Sequence, residues 1–401
     1  MNQLPKKLRE KLTDRTEANS LRGLGCTSSD LVDFSSNDYL GFSFSDEIFN
    51  NTLEVLRDYK LEMNGASGSR LLSGNNQLLV DTEAFIAHFH RAEAALIFNS
   101  GYDANIGFFG SVPQRGDVIF YDEFIHASIR DGISMSHAKA YKFRHNDIEH
   151  LAQLINKQTD SILPPGEMSE EKRGHLSVIY VVTESVFSMD GDVPDLQKLA
   201  GFCSKNNCCL IVDEAHAIGV VGEGRGLVQE LGVEEDVFAR IITFGKALGC
   251  HGAAVLGSHE LMSYLVNFAR SFIYTTALSP HSVGTILVSY RQLVNDQTTE
   301  ESLMKRLNRN VAMLRFYTKM YHLDEDFIES NSAIHSFIIS GNEDAKRVAE
   351  NLKGHGFDVK AILSPTVPVG KERLRICLHS FNTEAEIEKC IKQLATFIHN
   401  Q

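Results

Sequence analysis

Between residues 77 and 256 the chain switches repeatedly between two hydrophobic periods, and this narrows what it can fold into. Segments 79–90, 103–110, 148–154 and 196–205 repeat apolar residues three and four apart, the helical spacing. Between them, 94–98, 118–121, 176–182, 209–212, 240–244 and 253–256 are short, largely apolar runs bounded by polar or glycine turns, and 139–143 is a further strand candidate. Such runs read as strands buried on both faces. A further helix opens at His126-Ala127-Ser128. Strands separated by helices build an α/β fold, a mostly parallel central sheet with helices on both faces. In that architecture ligands collect beyond the carboxyl ends of the strands.

The flanks have another texture. Residues 4–21 and 47–59 read as helices, 31–35 as a strand, and 64–70 as a loop of small residues that suits either a plain linker or close approach to an anion. Segment 157–174 is polar and contains prolines, as a surface insertion would. After residue 280 come long helices at 283–293 and 301–321, strands at 333–339, 359–362 and 373–378, and helices at 343–355 and 383–399. The expected organisation is an N-terminal segment 1–45 joining the small domain, a large ligand-binding domain 46–282, and a C-terminal small α+β domain 283–401.

Composition excludes several classes. The net charge is −13 and the basic residues are scattered, so no nucleic-acid surface is expected. No apolar run approaches the ~18 residues of a membrane span, and residues 1–22 lack an apolar signal core. Seven cysteines without a CxxC pair read as free thiols in a reducing cytosol, which places the chain in the cytoplasm. Sixteen histidines form no HExxH, so no metal site is expected, and no GxSxG nucleophile elbow occurs.

The polar clusters fall where the predicted strands end. They are Ser100-Gly101-Tyr102, His126, Ser188, Asp213 with His216, and Lys246. Lys246 follows the apolar run Ile241-Ile242-Thr243-Phe244 and has Gly245 and Ala247 beside it, leaving room for a flat group. A lysine in an apolar setting tends to lose its proton, and the neutral amine forms Schiff bases. Asp213 is a carboxylate able to keep a ring nitrogen protonated, His216 can donate to a phenolic oxygen, and His126 can stack on a flat ring. Ser100, Gly101 and Tyr102 lead from a strand into a helix, a turn whose N–H groups suit a phosphate. Together these are the requirements of pyridoxal 5'-phosphate. Asp213-Glu214-Ala215-His216 also suggests the second box of a helicase-type ATPase. That class needs GxxxxGK followed by Ser or Thr, whereas Gly245-Lys246 and Gly370-Lys371 are followed by Ala247 and Glu372.

The motifs Asn37-Asp38-Tyr39-Leu40-Gly41, Gly68-Ser69-Arg70, His126-Ala127-Ser128, Phe187-Ser188-Met189-Asp190-Gly191-Asp192, Asp213-Glu214-Ala215-His216 and Thr243-Phe244-Gly245-Lys246 together resemble the α-oxoamine synthases. The resemblance runs from about Arg22 to the C-terminus. It implies a fold-type-I, aspartate-aminotransferase-like enzyme that condenses an amino acid with an acyl thioester and releases carbon dioxide. Gly252-Ala253-Ala254-Val255, Phe268-Ala269-Arg270, Ile273-Tyr274-Thr275-Thr276 and Pro365-Thr366-Val367-Pro368 are most similar to the branch serving biotin synthesis. That branch implies L-alanine and a pimeloyl thioester, carried on coenzyme A or a carrier protein. The alternative is a sister condensation using glycine or serine.

The resemblance also implies roles. Lys246 carries the cofactor as a Schiff base and removes the α-proton, Asp213 pairs with the pyridinium nitrogen, His216 and Ser188 bond near the ring oxygen, and His126 stacks on the ring. Ser100, Gly101, Tyr102 and Thr243 hold the phosphate, with Thr275 and Thr276 reaching it from the second subunit of a homodimer whose sites lie at the interface. Asn37 and Arg375, with His126, meet the amino-acid substrate, and Arg22 and Thr366 meet the acyl substrate. Departures from the family pattern are Glu214 for a common Asp, Tyr102 for Phe and Ser67 for Gly.

Overall fold

The computed structural model describes residues 4–24, 30–162 and 177–399. The chain divides into two compact units. One comprises Leu40–Phe187 and Val193–Met304; the other comprises Met1–Tyr39, Ser188–Asp192 and Lys305–Gln401.

The larger unit holds a seven-stranded sheet. Its strands are β1 (Ala94–Phe98), β2 (Val118–Asp122), β3 (Lys139–Phe143), β4 (Ile179–Glu184), β5 (Cys208–Asp213), β6 (Ala239–Thr243) and β7 (Ala253–Gly257). Their spatial order is β1-β7-β6-β5-β4-β2-β3. Strand β7 runs antiparallel to both neighbours, β1 and β6, and the other pairs are parallel. The carboxyl ends of β1, β2, β4, β5 and β6 therefore share one edge. The inner strands are largely apolar because helices cover both faces, whereas the edge strand β3 carries Lys139 and Lys142 and is mostly exposed. Ile119, Val182, Ile211 and Ile241 join one buried core, while Phe120, Val181, Leu210 and Val212 join the other. Neighbours along a strand thus point into opposite cores.

Helices Gly101–Phe109 and Ala127–Met135 pack on each other. A Cβ at Gly132 would lie 2.7 Å from the carbonyl oxygen of Asn105, so only glycine permits this approach. Helix Pro280–Gln297 packs on Asp46–Asp58 and Gln77–Phe89 and belongs to the larger unit. The cut between units thus falls past residue 304, whereas the expected boundary stood at 283. Apolar spacing defines that helix, but it does not say which neighbours its buried face meets.

The smaller unit contains an antiparallel sheet of Lys360–Ile362, Arg373–Cys377 and Ile334–Ile338, in that order, and a parallel pair of Val32–Asp33 with Phe357–Asp358. Segment Ser188–Asp192 is fastened to it. Arg375 Nε donates to Ser188 O at 2.7 Å, Ser336 Oγ to Met189 O at 2.5 Å, and Ser330 Oγ to Gly191 O at 2.9 Å. Arg373 pairs with Asp190. Gly191 has φ +77°, and a Cβ there would stand 2.1 Å from Ile334 O.

Two local expectations change. Helix Ile148–Ile162 runs through the start of the expected insertion, while residues 163–174 lie outside the described residues. Strand β4 ends at Glu184, which the sequence reading put in the following loop. Among the described residues no helix is long and apolar enough to cross a membrane.

Candidate active site

The larger unit brings the cofactor-type residues to the shared carboxyl edge of its sheet. Asp213 ends β5, pairs in register with Glu184 at the end of β4, and is buried. Its Oδ2 accepts from Asn105 Nδ2 at 3.1 Å and its Oδ1 from the Ala215 N–H at 3.0 Å. The chain then turns, and His216 arrives with its Nε2 2.7 Å from Lys246 Nζ. Lys246 stands beyond β6 in a turn closed by the Cys250 N–H on Phe244 O at 2.8 Å. The lysine is half-buried rather than fully enclosed.

Glu214 points away from these groups, as a strand's alternation dictates. Buried Glu214 pairs with buried Arg240 at 2.5 Å and accepts the Val228 N–H at 3.0 Å. Arg240 also donates to His90 O at 3.0 Å and Arg225 O at 2.7 Å. This network anchors the turn that carries Asp213 and His216.

The phosphate-type turn follows β1. Ser100 caps helix Gly101–Phe109, its Oγ accepting the Asp103 N–H at 3.0 Å and donating to Asp103 Oδ2 at 2.8 Å. The first N–H groups of that helix, from Gly101 and Tyr102, have no partner within it, as at any helix start. A Cβ on Gly101 would stand 3.7 Å from Thr243 Oγ1, so the missing side chain leaves a shallow cradle between them. Asn99 Nδ2 donates to Thr275 Oγ1 at 3.2 Å and Thr276 O at 2.8 Å, bringing both threonines of the same chain to this turn. The Tyr102 hydroxyl donates to Asp131 at 2.5 Å.

His126 caps helix Ala127–Met135. Its backbone N–H donates to Glu184 Oε1 at 2.5 Å. Partial burial lowers the pKa of His126, with Asp213 opposing and Lys246 reinforcing the shift. Burial, then the nearby Asp213 charge, pushes Glu184 up to about 8. Glu184 and Asn105 are members of the site that the sequence reading did not single out, and Ser128 entered it only as the end of the motif His126-Ala127-Ser128. Asn105 lies one helical turn past Gly101, and that spacing was the available signal. Glu184 carried none until the end of β4 was fixed.

The smaller unit assembles the substrate-type residues. Arg375 Nη2 donates to Asn37 Oδ1 at 2.9 Å, and the Tyr39 hydroxyl donates to the same oxygen at 3.2 Å. Arg22 Nη2 donates to Thr366 Oγ1 at 3.0 Å on an exposed surface. Ser188 contributes its backbone carbonyl to Arg375. Arg70, in the small-residue motif, instead pairs with Glu83 and bonds Asn75 Oδ1 at 2.7 Å, which is a structural use.

The family model for aminotransferase class I and II matches residues 29–394. The chain belongs to that family. An 8-amino-7-oxononanoate synthase from Emericella nidulans is 40% identical over 400 residues, covering 98% of this chain and 95% of the relative. The solved 8-amino-7-oxononanoate synthase of Francisella tularensis is 27% identical, with TM-score 0.74 over 93% of this chain and 99% of that one. A serine palmitoyltransferase from S. paucimobilis, solved with pyridoxal phosphate and myriocin bound, shares the fold at TM-score 0.84 and 24% identity, over 98% of this chain and 97% of that one. Among class I and II enzymes the chain is an α-oxoamine synthase, a pyridoxal-phosphate-dependent acyltransferase of fold type I. Its cofactor is pyridoxal phosphate. The donor set fits that group: an amine at Lys246, a buried carboxylate at Asp213, and a helix start with a glycine cradle beside Thr243.

Proposed function

We propose that the chain condenses L-alanine with a pimeloyl thioester, giving 8-amino-7-oxononanoate, carbon dioxide and the free thiol, in biotin synthesis. The observation that carries the chemistry is Lys246 Nζ at 2.7 Å from His216 Nε2, three residues beyond buried Asp213. The relative from Emericella nidulans supports the choice of substrates.

Lys246 would hold the cofactor through its amine, and its Nζ, freed once the substrate amine takes its place, would accept the α-proton of alanine. Asp213 would pair with the ring nitrogen and keep a proton there by charge; Asn105 and the Ala215 N–H fix both its oxygens. His216 and Ser188 would serve the ring oxygen, and His126 would cover the ring. Ser100, Gly101, Tyr102 and Thr243 would form the phosphate cradle; Thr275 and Thr276, which Asn99 holds beside this turn in the same chain, would reach the cradle of a second copy in a homodimer. Bound there, the cofactor supplies an electron sink for charge developing at the amino-acid α-carbon. Arg375 and Asn37 take the alanine carboxylate, and Arg22 and Thr366 the acyl chain. Among the described residues Cys203, Cys208, Cys209 and Cys390 are free thiols, which supports a cytoplasmic setting.

Purified holoenzyme mixed with pimeloyl-coenzyme A or a pimeloyl carrier protein should release thiol with L-alanine, and far less with glycine or L-serine. Faster turnover of glycine or serine with another thioester would transfer the assignment to a sister condensation. Sedimentation at micromolar concentration should give a dimer; a monomer would remove the shared phosphate cradle.

A further inference from the structure

We infer that Ser128 and Asn105 are positioning residues that fix His126 in a single neutral tautomer, with the hydrogen on Nε2. The inference rests on the reading of His126 as the group that covers the cofactor ring. It follows from the direction of each hydrogen bond. Asp213 Oδ2 can only accept, so Asn105 presents its Nδ2 there, at 3.1 Å. The same Nδ2 has a second hydrogen, which goes to Ser128 Oγ at 3.0 Å. With one lone pair of the hydroxyl engaged, the Ser128 hydrogen is directed to His126 Nδ1, 2.7 Å away. The backbone N–H of Ser128 reaches the same nitrogen at 3.2 Å, and an N–H cannot accept. Nδ1 is therefore the acceptor, and a neutral ring must carry its hydrogen on Nε2.

The chain is built into the core rather than laid on the surface. Ser128 is 1% exposed and Asn105 2%. The two helices that carry them touch through Gly132. The groups facing His126 are Asp213, Lys246, Arg130, Asp131 and Glu184. Partial burial, the first of these influences, favours the neutral ring, and a donor aimed at Nδ1 favours it further. The consequence is chemical. His126 offers substrate a hydrogen-bond donor at Nε2 and cannot act there as a base until that hydrogen has left. A neutral donor suits an oxygen that gains negative charge, such as that of an attacked thioester carbonyl.

The test is long-range proton–nitrogen NMR of the full-length holoenzyme carrying ¹⁵N-histidine, with the His126 signals assigned by their loss in His126→Asn. The expected pattern at neutral pH is a bare, hydrogen-bonded Nδ1 and a protonated Nε2. A protonated Nδ1, or averaged shifts from a mixture, overturns the inference without recourse to any further variant. Ser128→Ala leaves only the longer backbone N–H contact on Nδ1, at 3.2 Å, so a fraction of protonated Nδ1 should appear and the His126 pKa should rise by about one unit, because the shorter donor to the neutral form is lost. It should lower kcat about tenfold while leaving KM for the amino acid within about twofold. Ser128→Thr, which keeps the hydroxyl, should restore the single tautomer. An unchanged tautomer in Ser128→Ala overturns the role of Ser128. The NMR pattern needs no turnover, so an enzyme that fails with every alanine–thioester pair yet shows bare Nδ1 refutes the substrate assignment alone.

Discussion

Arg375 Nη2 and Asn37 Oδ1 lie 2.9 Å apart although 338 positions separate them in the chain. Two more of its five N–H donors go to Ser188 O at 2.7 Å and Cys377 Sγ at 2.9 Å. A planar fork is thereby held rigid and buried before any anion arrives, and a lysine ammonium cannot reproduce three fixed directions.

Arg375→Lys should therefore raise KM for L-alanine about tenfold or more, roughly the 1.5–3 kcal/mol of a charged hydrogen bond. Initial rates at varied alanine and saturating thioester measure it. An unchanged KM would remove Arg375 from the substrate site.

Lys246→Ala should abolish thiol release by roughly a thousandfold or more, because no other amine replaces the nucleophile. Adding pyridoxal phosphate to the variant should give no covalent adduct after borohydride reduction. A labelled peptide elsewhere in the chain would reassign the attachment residue.

Glu214→Gln leaves the Arg240 charge buried without its partner, 2.5 Å from the substituted group. Breaking a buried pair in this way costs about 3–5 kcal/mol. The fall should appear in the denaturant midpoint of the apoprotein. A loss below about 1 kcal/mol would mean the pair is not what anchors the turn.

His335 gives a pH signature in the smaller unit. Burial, then the nearby Arg315 charge, lowers it to about 4 from the ordinary 6.5. As pH falls from 6.5 towards 4 the unfolded chain takes up a proton that the folded chain refuses, so stability present above 6.5 is lost across that window. The full span is worth ~3 kcal/mol. His335→Gln should flatten this part of the stability profile, measured by denaturation at stepped pH. An unchanged slope would mean other groups set it.

The order of elements was legible because each face of a buried strand or helix leaves its period in the sequence. Asp213, His216 and Lys246 were legible for a related reason: short polar motifs ended apolar runs, and a parallel sheet collects such ends on one edge. The end of β4 was less so, since a strand's last hydrogen bond depends on its neighbour's register, and Glu184 was missed for that reason. The small-residue loop 64–70 suited a linker or an anion site equally; what only the fold supplied was the partner of Arg70, Glu83 from helix Gln77–Phe89.

The sequence by itself determined the alternation of elements, the residue types that pyridoxal phosphate needs, and their place at strand ends, because these depend on local period and on chemistry. Only the tertiary structure decided which of them meet. Asn37 reached Arg375, Arg22 reached Thr366, and Asp213 reached His126 through Asn105 and Ser128. The reason is directional: a hydrogen bond needs its partners within about 3 Å and aligned, and no one-dimensional pattern carries the distance or the angle between distant segments.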